Sequence, residues 1–378
     1  MDPVPWREAW QEALYAAGRG FYVAAGGPAA HFTTATHGPS GRVLADALLR
    51  LWLRDHDHLP SVVVDVGAGR GELATHLRAA LDSPSQAPNA AFGVERAGIQ
   101  VSSTPTAAFG REVGERREVG ESREVGESRE VGEAGGDRAR ETTVVAVDVV
   151  ERPDGLDERI EWVRSPGGDA LPADLGDLED ALVIAHEWLD VVPCTLARAD
   201  ADGTIREVLV DPATGDETLG TPIGAEDLEW VRRHWPDPSP GDAVEVGRQR
   251  DLAWAGLVRR VRSGVLVAVD YGHTRAERPR EASFTAYAEG RQVTPLPDGT
   301  CDLTADVAMD SLEHDELGTQ REVLRGLGVL GRTPPIAEAA SDPLGYLAGL
   351  ERAGAEAQLI DPGGFGAFWW AVKRVHVL

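Results

Sequence analysis

Apolar residues in this chain fall into short unbroken runs, and each run ends in charge. Val62-Val63-Val64-Asp65-Val66, Thr142-Thr143-Val144-Val145-Ala146-Val147-Asp148, Ala181-Leu182-Val183-Ile184-Ala185-His186-Glu187 and Val265-Leu266-Val267-Ala268-Val269-Asp270 are the clearest cases. Runs without alternation predict strands covered on both faces, hence a parallel sheet joined by crossover helices. Helical spacing appears elsewhere. Trp6, Ala9, Leu14 and Ala17 share a face within residues 1–20, a Leu- and Ala-rich helix is predicted from about Gly41 to Asp55, and another runs through Leu77 and Leu81. Short polar strands are expected around Arg198 to Val210, with turns at Asp202-Gly203 and Thr214-Gly215, and a helix near Trp230. Residues 280–345 are loop-rich and read as a cap, and Phe365 to Val372 reads as a last strand.

One stretch breaks this rhythm. After Ser, Pro and Ala, the unit Arg-Glu-Val-Gly-Glu recurs four times at a period of six, from Arg111 to Ala134. Glycine at that period weakens a helix, and valine wanders around its surface instead of forming a stripe. Residues 84–141 are therefore expected to be a solvated, disordered insertion or a partner-binding tail without catalytic residues.

Composition narrows the function. The formal charge is -26, from 63 acidic and 37 basic residues, so phosphate backbones are repelled and nucleic acid is an unexpected partner. Hydrophobic residues make up 42% of the chain, enough for a substantial core. Two cysteines, Cys194 and Cys301, point to a reducing compartment and to no metal site. The sequence shows neither a leader-like start nor a membrane-length apolar run, so a cytoplasmic protein is expected.

The chemistry centres on the turn after the first run. Asp65, Gly67, Ala68, Gly69 and Gly71 follow an acidic-x-G-x-G-x-G spacing, and Glu72 stands where a dinucleotide-binding turn needs its third glycine. This is the spacing used for S-adenosyl-L-methionine, which has no pyrophosphate to cradle. In such a fold the acid closing the second strand accepts the ribose hydroxyls. Asp148 is favoured and Glu95 competes. Asp169, with Ala170 beside it, follows a third strand and is expected near the adenine. Asp65, Asp148, Glu187 and Asp270 all fall at strand carboxyl ends, where open α/β sheets bind ligands.

At this point the chain resembles the MidA-type class I methyltransferases, which include the mitochondrial complex I assembly methyltransferase. His31-Phe32-Thr33-Thr34-Ala35 is similar to the family's D-F-x-T-[SA] segment. Val64 to Gly71 resembles its (E/D)-x-G-x-G-x-G motif, and His186-Glu187-Trp188-Leu189-Asp190-Val191-Val192-Pro193 its [NH]-E-[FW]-[FL]-D-x-x-P signature. Asp270-Tyr271-Gly272 and Gly299 to Val307 resemble D-Y-G and G-x-x-D-[LI]-T-x-x-V. Thr36 and His37 depart from the family's Pro-Glu. The resemblance implies a Rossmann-like seven-stranded, mostly parallel α/β sheet with N-terminal helices and an inserted cap. It divides the chain into an N-terminal helical segment (1–60), a cofactor-binding core (61–200), an insertion (201–250), a core continuation (251–280), a cap (281–345) and C-terminal core strands (346–378).

The resemblance also implies transfer of a methyl group from S-adenosyl-L-methionine, with an arginine of a protein as acceptor in the mitochondrial member. A carboxylate can grip a guanidinium bidentately. Glu187 is the first catalytic candidate, with Asp190 and Asp270 as helpers and His186 as a proton acceptor or a stacking group. Phe32 and Thr33 would close over the cofactor or serve only N-terminal packing, Trp188 would wall the pocket, and Asp302 would fix the cap loop. A small-molecule N- or O-methyltransferase and a non-catalytic cofactor-binding assembly factor are the competing readings.

Overall fold

A computed structural model describes residues 2–23, 35–82 and 141–376. The expectations for Phe32, Thr33, Glu95 and the repeat insertion lie outside the described residues.

The apolar runs form the strands of one seven-stranded sheet. In chain order these are β1 (Val62–Val66), β2 (Thr143–Asp148), β3 (Ile160–Arg164), β4 (Ala181–His186), β5 (Gly264–Asp270), β6 (Glu316–Thr319) and β7 (Trp369–Val375). Their order across the sheet is β3-β2-β1-β4-β5-β7-β6. Neighbours from β3 to β5 are parallel, while β7 runs antiparallel to both β5 and β6. The fold is thus mixed α/β with a mostly parallel sheet.

Each run lacks alternation because both faces are covered. Val63, Val144, Ile184 and Val267 pack with Leu44, Leu48 and Trp52 of helix Gly38–Asp55 and with Leu73 and Leu77 of helix Glu72–Asp82. Val64, Val145, Val183 and Leu266 point the other way, onto Trp254, Leu257, Met309 and Leu312. Full burial of one such side chain stabilises by about 1.5–3 kcal/mol, so both layers are needed to hold the sheet.

A second, five-stranded sheet gathers Val4–Pro5, Ile205–Val210, Thr195–Ala199 and Ala243–Val246 in that order, with Glu217–Pro222 on Ile205–Val210. Its core takes Trp6, Trp10 and Leu14 from helix Trp6–Tyr15, together with Leu196, Val208, Val210 and Leu303. The indole of Trp10 donates to the Leu303 carbonyl at 3.0 Å. The N-terminal 60 residues therefore serve two cores, the first helix facing the second sheet and the second helix facing the main one.

The region read as a cap is divided as well. Arg291–Val293, Thr285–Ala288 and Asp302–Thr304 form a three-stranded antiparallel sheet. Glu316–Thr319, inside the same predicted region, is instead the edge strand β6 of the main sheet. At the C-terminus Phe365–Ala367 is a 3-10 turn, and β7 begins only at Trp369. Among the described residues no helix is long and apolar enough to cross a membrane.

Candidate functional site

Register brings the charged strand ends together. Asp65 pairs with Ile184, Val66 with both Val147 and Ala185, and Val269 with His186. The carboxyl ends of β1, β2, β4 and β5 therefore share one sheet edge. They open on a cavity of about 1470 Å³ whose wall includes Asp65, Gly67, Asp148, Glu187, Asp190, Tyr271 and Asp302.

The turn after β1 needs glycine for its backbone and for the side chains packed on it. Gly67, Gly69 and Gly71 have φ of 75°, 61° and 82°, a left-handed conformation that side chains strain. A Cβ on Gly71 would lie 2.8 Å from the Leu156 side chain, and one on Gly67 would lie 3.2 Å from Trp188. The amides are already engaged. Those of Gly67 and Ala68 donate to the Val147 carbonyl at 2.9 and 3.1 Å, and that of Gly71 to the Ala68 carbonyl at 2.8 Å. The Gly69 amide donates to Asp148 at 2.8 Å, and the Arg70 amide to Glu72 at 3.0 Å. No nest of free amides remains for a pyrophosphate, in line with the spacing argument.

Asp148 lies at the end of β2, where its second oxygen accepts from the Val150 amide at 3.2 Å. Burial raises its carboxyl to about 6 against these hydrogen bonds. Asp65 is raised to about 7 by burial and then by the charge of Asp148, and its Oδ2 has no hydrogen-bond partner. Beyond β3 the wall is formed by Gly167, Gly168 and Leu171. Asp169 and Ala170, expected at the adenine, are exposed and do not line the cavity. The tight turn Gly167-Gly168 (φ 91° and 63°) lies against Tyr15 and Gln11, so backbone, not the aspartate, faces inward.

At the end of β4, Glu187 adopts φ 51°, unusual for a residue with a side chain, while its amide donates to the Val269 carbonyl at 2.8 Å. Strain of this kind persists where the surroundings over-determine it, often at functional sites. Its carboxyl is raised to about 8 by burial, then by the charges of Asp190 and Asp302. Its Oε1 makes no hydrogen bond. His186, 3.3 Å away, is lowered to about 4 by burial and is therefore a neutral neighbour, not an ion-pair partner.

Asp190 offers one oxygen to the Tyr271 hydroxyl and to Thr304 Oγ1 at 2.8 Å, leaving Oδ1 buried and unpartnered. Asp302 accepts from Tyr22 at 2.7 Å, and burial raises it to about 8. Tyr22 stacks on Tyr15 with ring centres 5.7 Å apart. Asp270 has a different place from the one expected of a catalytic helper. It is fully buried beneath the wall and accepts the amides of Leu189 and Asp190 at 3.0 and 3.2 Å. Its carboxylate holds the Glu187–Asp190 turn in shape and does not reach the cavity.

Several residues in and behind the wall carried no sequence signal for a site. Tyr15 ends the first helix and Tyr22 lies in the turn after it, and Tyr22 meets Asp302 because that helix packs on the second sheet. Arg250 sits in helix Arg248–Val258, and its guanidinium binds the carbonyls of Asp190, Val192 and Asp306. That helix shows no polar–apolar segregation by which it could have been found.

The sequence matches the model of a family described as "Putative S-adenosyl-L-methionine-dependent methyltransferase" over residues 43–325. No curated protein matches it. Among solved structures, an uncharacterized protein from Burkholderia thailandensis superposes with a TM-score of 0.64 at 19% identity, covering 98% of this chain and 87% of that one. A second structure from that organism, described as a "likely methyl transferase" bound to S-adenosyl-homocysteine, gives 0.62 at 19% identity with the same coverage. These likenesses speak for the fold, and the family match spans most of the chain. The chain belongs to this family of S-adenosyl-L-methionine-dependent methyltransferases.

Proposed function

We propose that this protein transfers the methyl group of S-adenosyl-L-methionine to an arginine of a protein substrate in the cytoplasm. The observation that carries the reading is the strained, half-buried Glu187 carboxyl, with one buried and unpartnered oxygen, flanked by Asp190 and Asp302 on the wall of the same cavity as the glycine turn. Single-ligand pockets are about 300–1,000 Å³, so a cavity of about 1470 Å³ has room for a donor and an acceptor side chain together.

The residues present fit the donor. Gly67 and Gly69 line the cavity together with Asp65, Glu187 and Asp190, whose orphaned oxygens suit a molecule carrying cationic centres. In this reading Gly67 to Gly71 and Asp65 hold the adenosyl and methionine parts, Asp148 binds the ribose, and Glu187 faces the sulfonium. When bound, the cofactor supplies a methyl group activated by positively charged sulfur.

The chain's own contribution is placement and charge. Glu187 and Asp302 are held largely protonated by burial, and an arriving cation draws them into the ionised form. An ionised carboxylate orients a guanidinium by two parallel hydrogen bonds and offsets its charge. Tyr15, Tyr22 and Tyr271 supply flat faces and exclude water. Asp270 keeps the turn rigid from below.

The test is incubation with methyl-labelled S-adenosyl-L-methionine and proteins extracted from cells that lack the gene, followed by hydrolysis. Label in methylarginine supports the reading. Label confined to metabolites supports a small-molecule acceptor, and binding without transfer supports the assembly-factor reading.

A further inference from the structure

A buried guanidinium beneath the acidic end of the cavity has no carboxylate among its hydrogen-bond partners. Arg250 is 1% exposed. Its Nε donates to the Val192 carbonyl at 3.0 Å, Nη1 to that of Asp306 at 2.8 Å and Nη2 to that of Asp190 at 2.7 Å. Its Cζ lies 5.7 Å from the Trp10 ring. One planar fork thus spans two wall segments, the turn after Glu187 and the loop after Asp302–Thr304, while it rests on the first helix.

A cation stripped of water and bound only to neutral carbonyls is costly. Helix packing alone could be met by a leucine or methionine. What a guanidinium adds is a fixed three-way geometry and a permanent positive charge beneath an acidic wall. The groups that feel this charge are Asp190, Asp270, Glu245, Asp306, Cys194 and His273. For the four carboxyls it opposes the effect of burial, favouring the ionised form.

We propose that Arg250 is the positioning residue of the acidic end: its fork sets the spacing of the Asp190 turn and the Asp306 wall, and it places a fixed positive charge behind the Asp190 carboxyl. The inference rests on the proposed placement of Glu187 at the donor's sulfur with Asp190 flanking it. Arg250 itself touches neither donor nor acceptor in this account.

The test compares S-adenosyl-L-methionine with S-adenosyl-homocysteine, which lacks the positive charge at sulfur. Calorimetric titration of both across neutral pH gives their affinity ratio, and affinity for the neutral product reports an intact fold. In the native protein the preference for the cation rises with pH. Arg250→Met is expected to bind S-adenosyl-homocysteine within about threefold of native and to move the midpoint of that rise up by about one pH unit or more. Arg250→Lys, which keeps the charge and loses the fork, is expected to keep the native midpoint with a smaller plateau preference.

A native-like profile in Arg250→Met overturns the proposal, as does Arg250→Lys shifting as far as Arg250→Met. Should Arg250→Met fail to bind the neutral product, Arg250→Lys decides alone, its native midpoint supporting the proposal and a moved midpoint overturning it. A flat profile in the native protein would instead refute the placement of the carboxylates at the sulfur, separately from any role of Arg250.

Discussion

The Gly69 amide and the Asp148 carboxylate are joined by a 2.8 Å hydrogen bond, so the turn after β1 is latched to the end of β2. One side chain thereby shapes the glycine turn and, in the proposed role, binds the ribose. Asp148→Ala is expected to weaken S-adenosyl-L-methionine and S-adenosyl-homocysteine alike by about 10- to 100-fold, the size of a lost charge-assisted hydrogen bond. Equilibrium titration with both compounds checks this. A loss confined to one of them speaks against a ribose and turn role.

Glu187 sets function against stability. Its φ of 51° and its partnerless buried oxygen both cost free energy in the ligand-free protein. Replacing it with glycine removes both, less the extra freedom glycine has in the unfolded chain. Glu187→Gly is expected to raise the unfolding free energy by about 1 kcal/mol while abolishing methyl transfer. Denaturant unfolding and a label-transfer assay measure the two. A destabilised variant would mean that Glu187 is a structural cap and carries no stored strain.

Acidity gives a prediction with a definite sign. Asp65, Glu187 and Asp302 are raised to about 7, 8 and 8 in the folded protein, well above their ordinary values. The folded state therefore binds more protons than the unfolded state between the ordinary carboxylate range and about 8. Stability from these groups is fully present at the acidic end of that window and is lost as pH rises through it. His186, lowered to about 4, acts in the opposite direction between about 4 and its ordinary value of 6.5. Thermal unfolding of the ligand-free protein should thus show a falling midpoint from about pH 6.5 to about pH 8.5. A rising midpoint over that range would show that the acids are already ionised.

The turn itself can be probed by one methyl group. Gly71→Ala combines a left-handed backbone with a Cβ 2.8 Å from Leu156, and about 1–3 kcal/mol of stability should be lost. Gly67→Ala meets only Trp188 at 3.2 Å, a milder clash added to the same kind of backbone strain. It is expected to impair cofactor binding more than folding. Melting curves with and without S-adenosyl-homocysteine separate the two effects.

How much of this was legible depended on how local the signal was. Strands β1, β2, β4 and β5 stood out because two-sided burial writes an unbroken apolar run, and the glycine turn because its backbone demands a residue type. Glu316–Thr319 was read as cap because a four-residue, half-buried edge strand with a glycine has no such run. Asp270 resembled its neighbours at the strand ends, and nothing in sequence says that the following turn folds back to cover it. Asp169 was displaced by a glycine pair whose tight turn sends its side chain outward. The tyrosine–aspartate contact of Tyr22 with Asp302 joins residues 280 positions apart. Such a meeting follows from the packing of the first helix on the second sheet, which no local pattern encodes.

The central claim is that the Gly67–Gly71 turn and the carboxylates beside it hold the methyl donor. Calorimetric titration of the purified chain with S-adenosyl-L-methionine tests it most directly. The account predicts saturable binding of one molecule per chain, with a dissociation constant of about 1 μM to 1 mM, and a clear weakening in Glu187→Gln that S-adenosyl-homocysteine does not share. No saturable heat in that range, or a Glu187→Gln variant that binds both compounds as the native chain does, would contradict it.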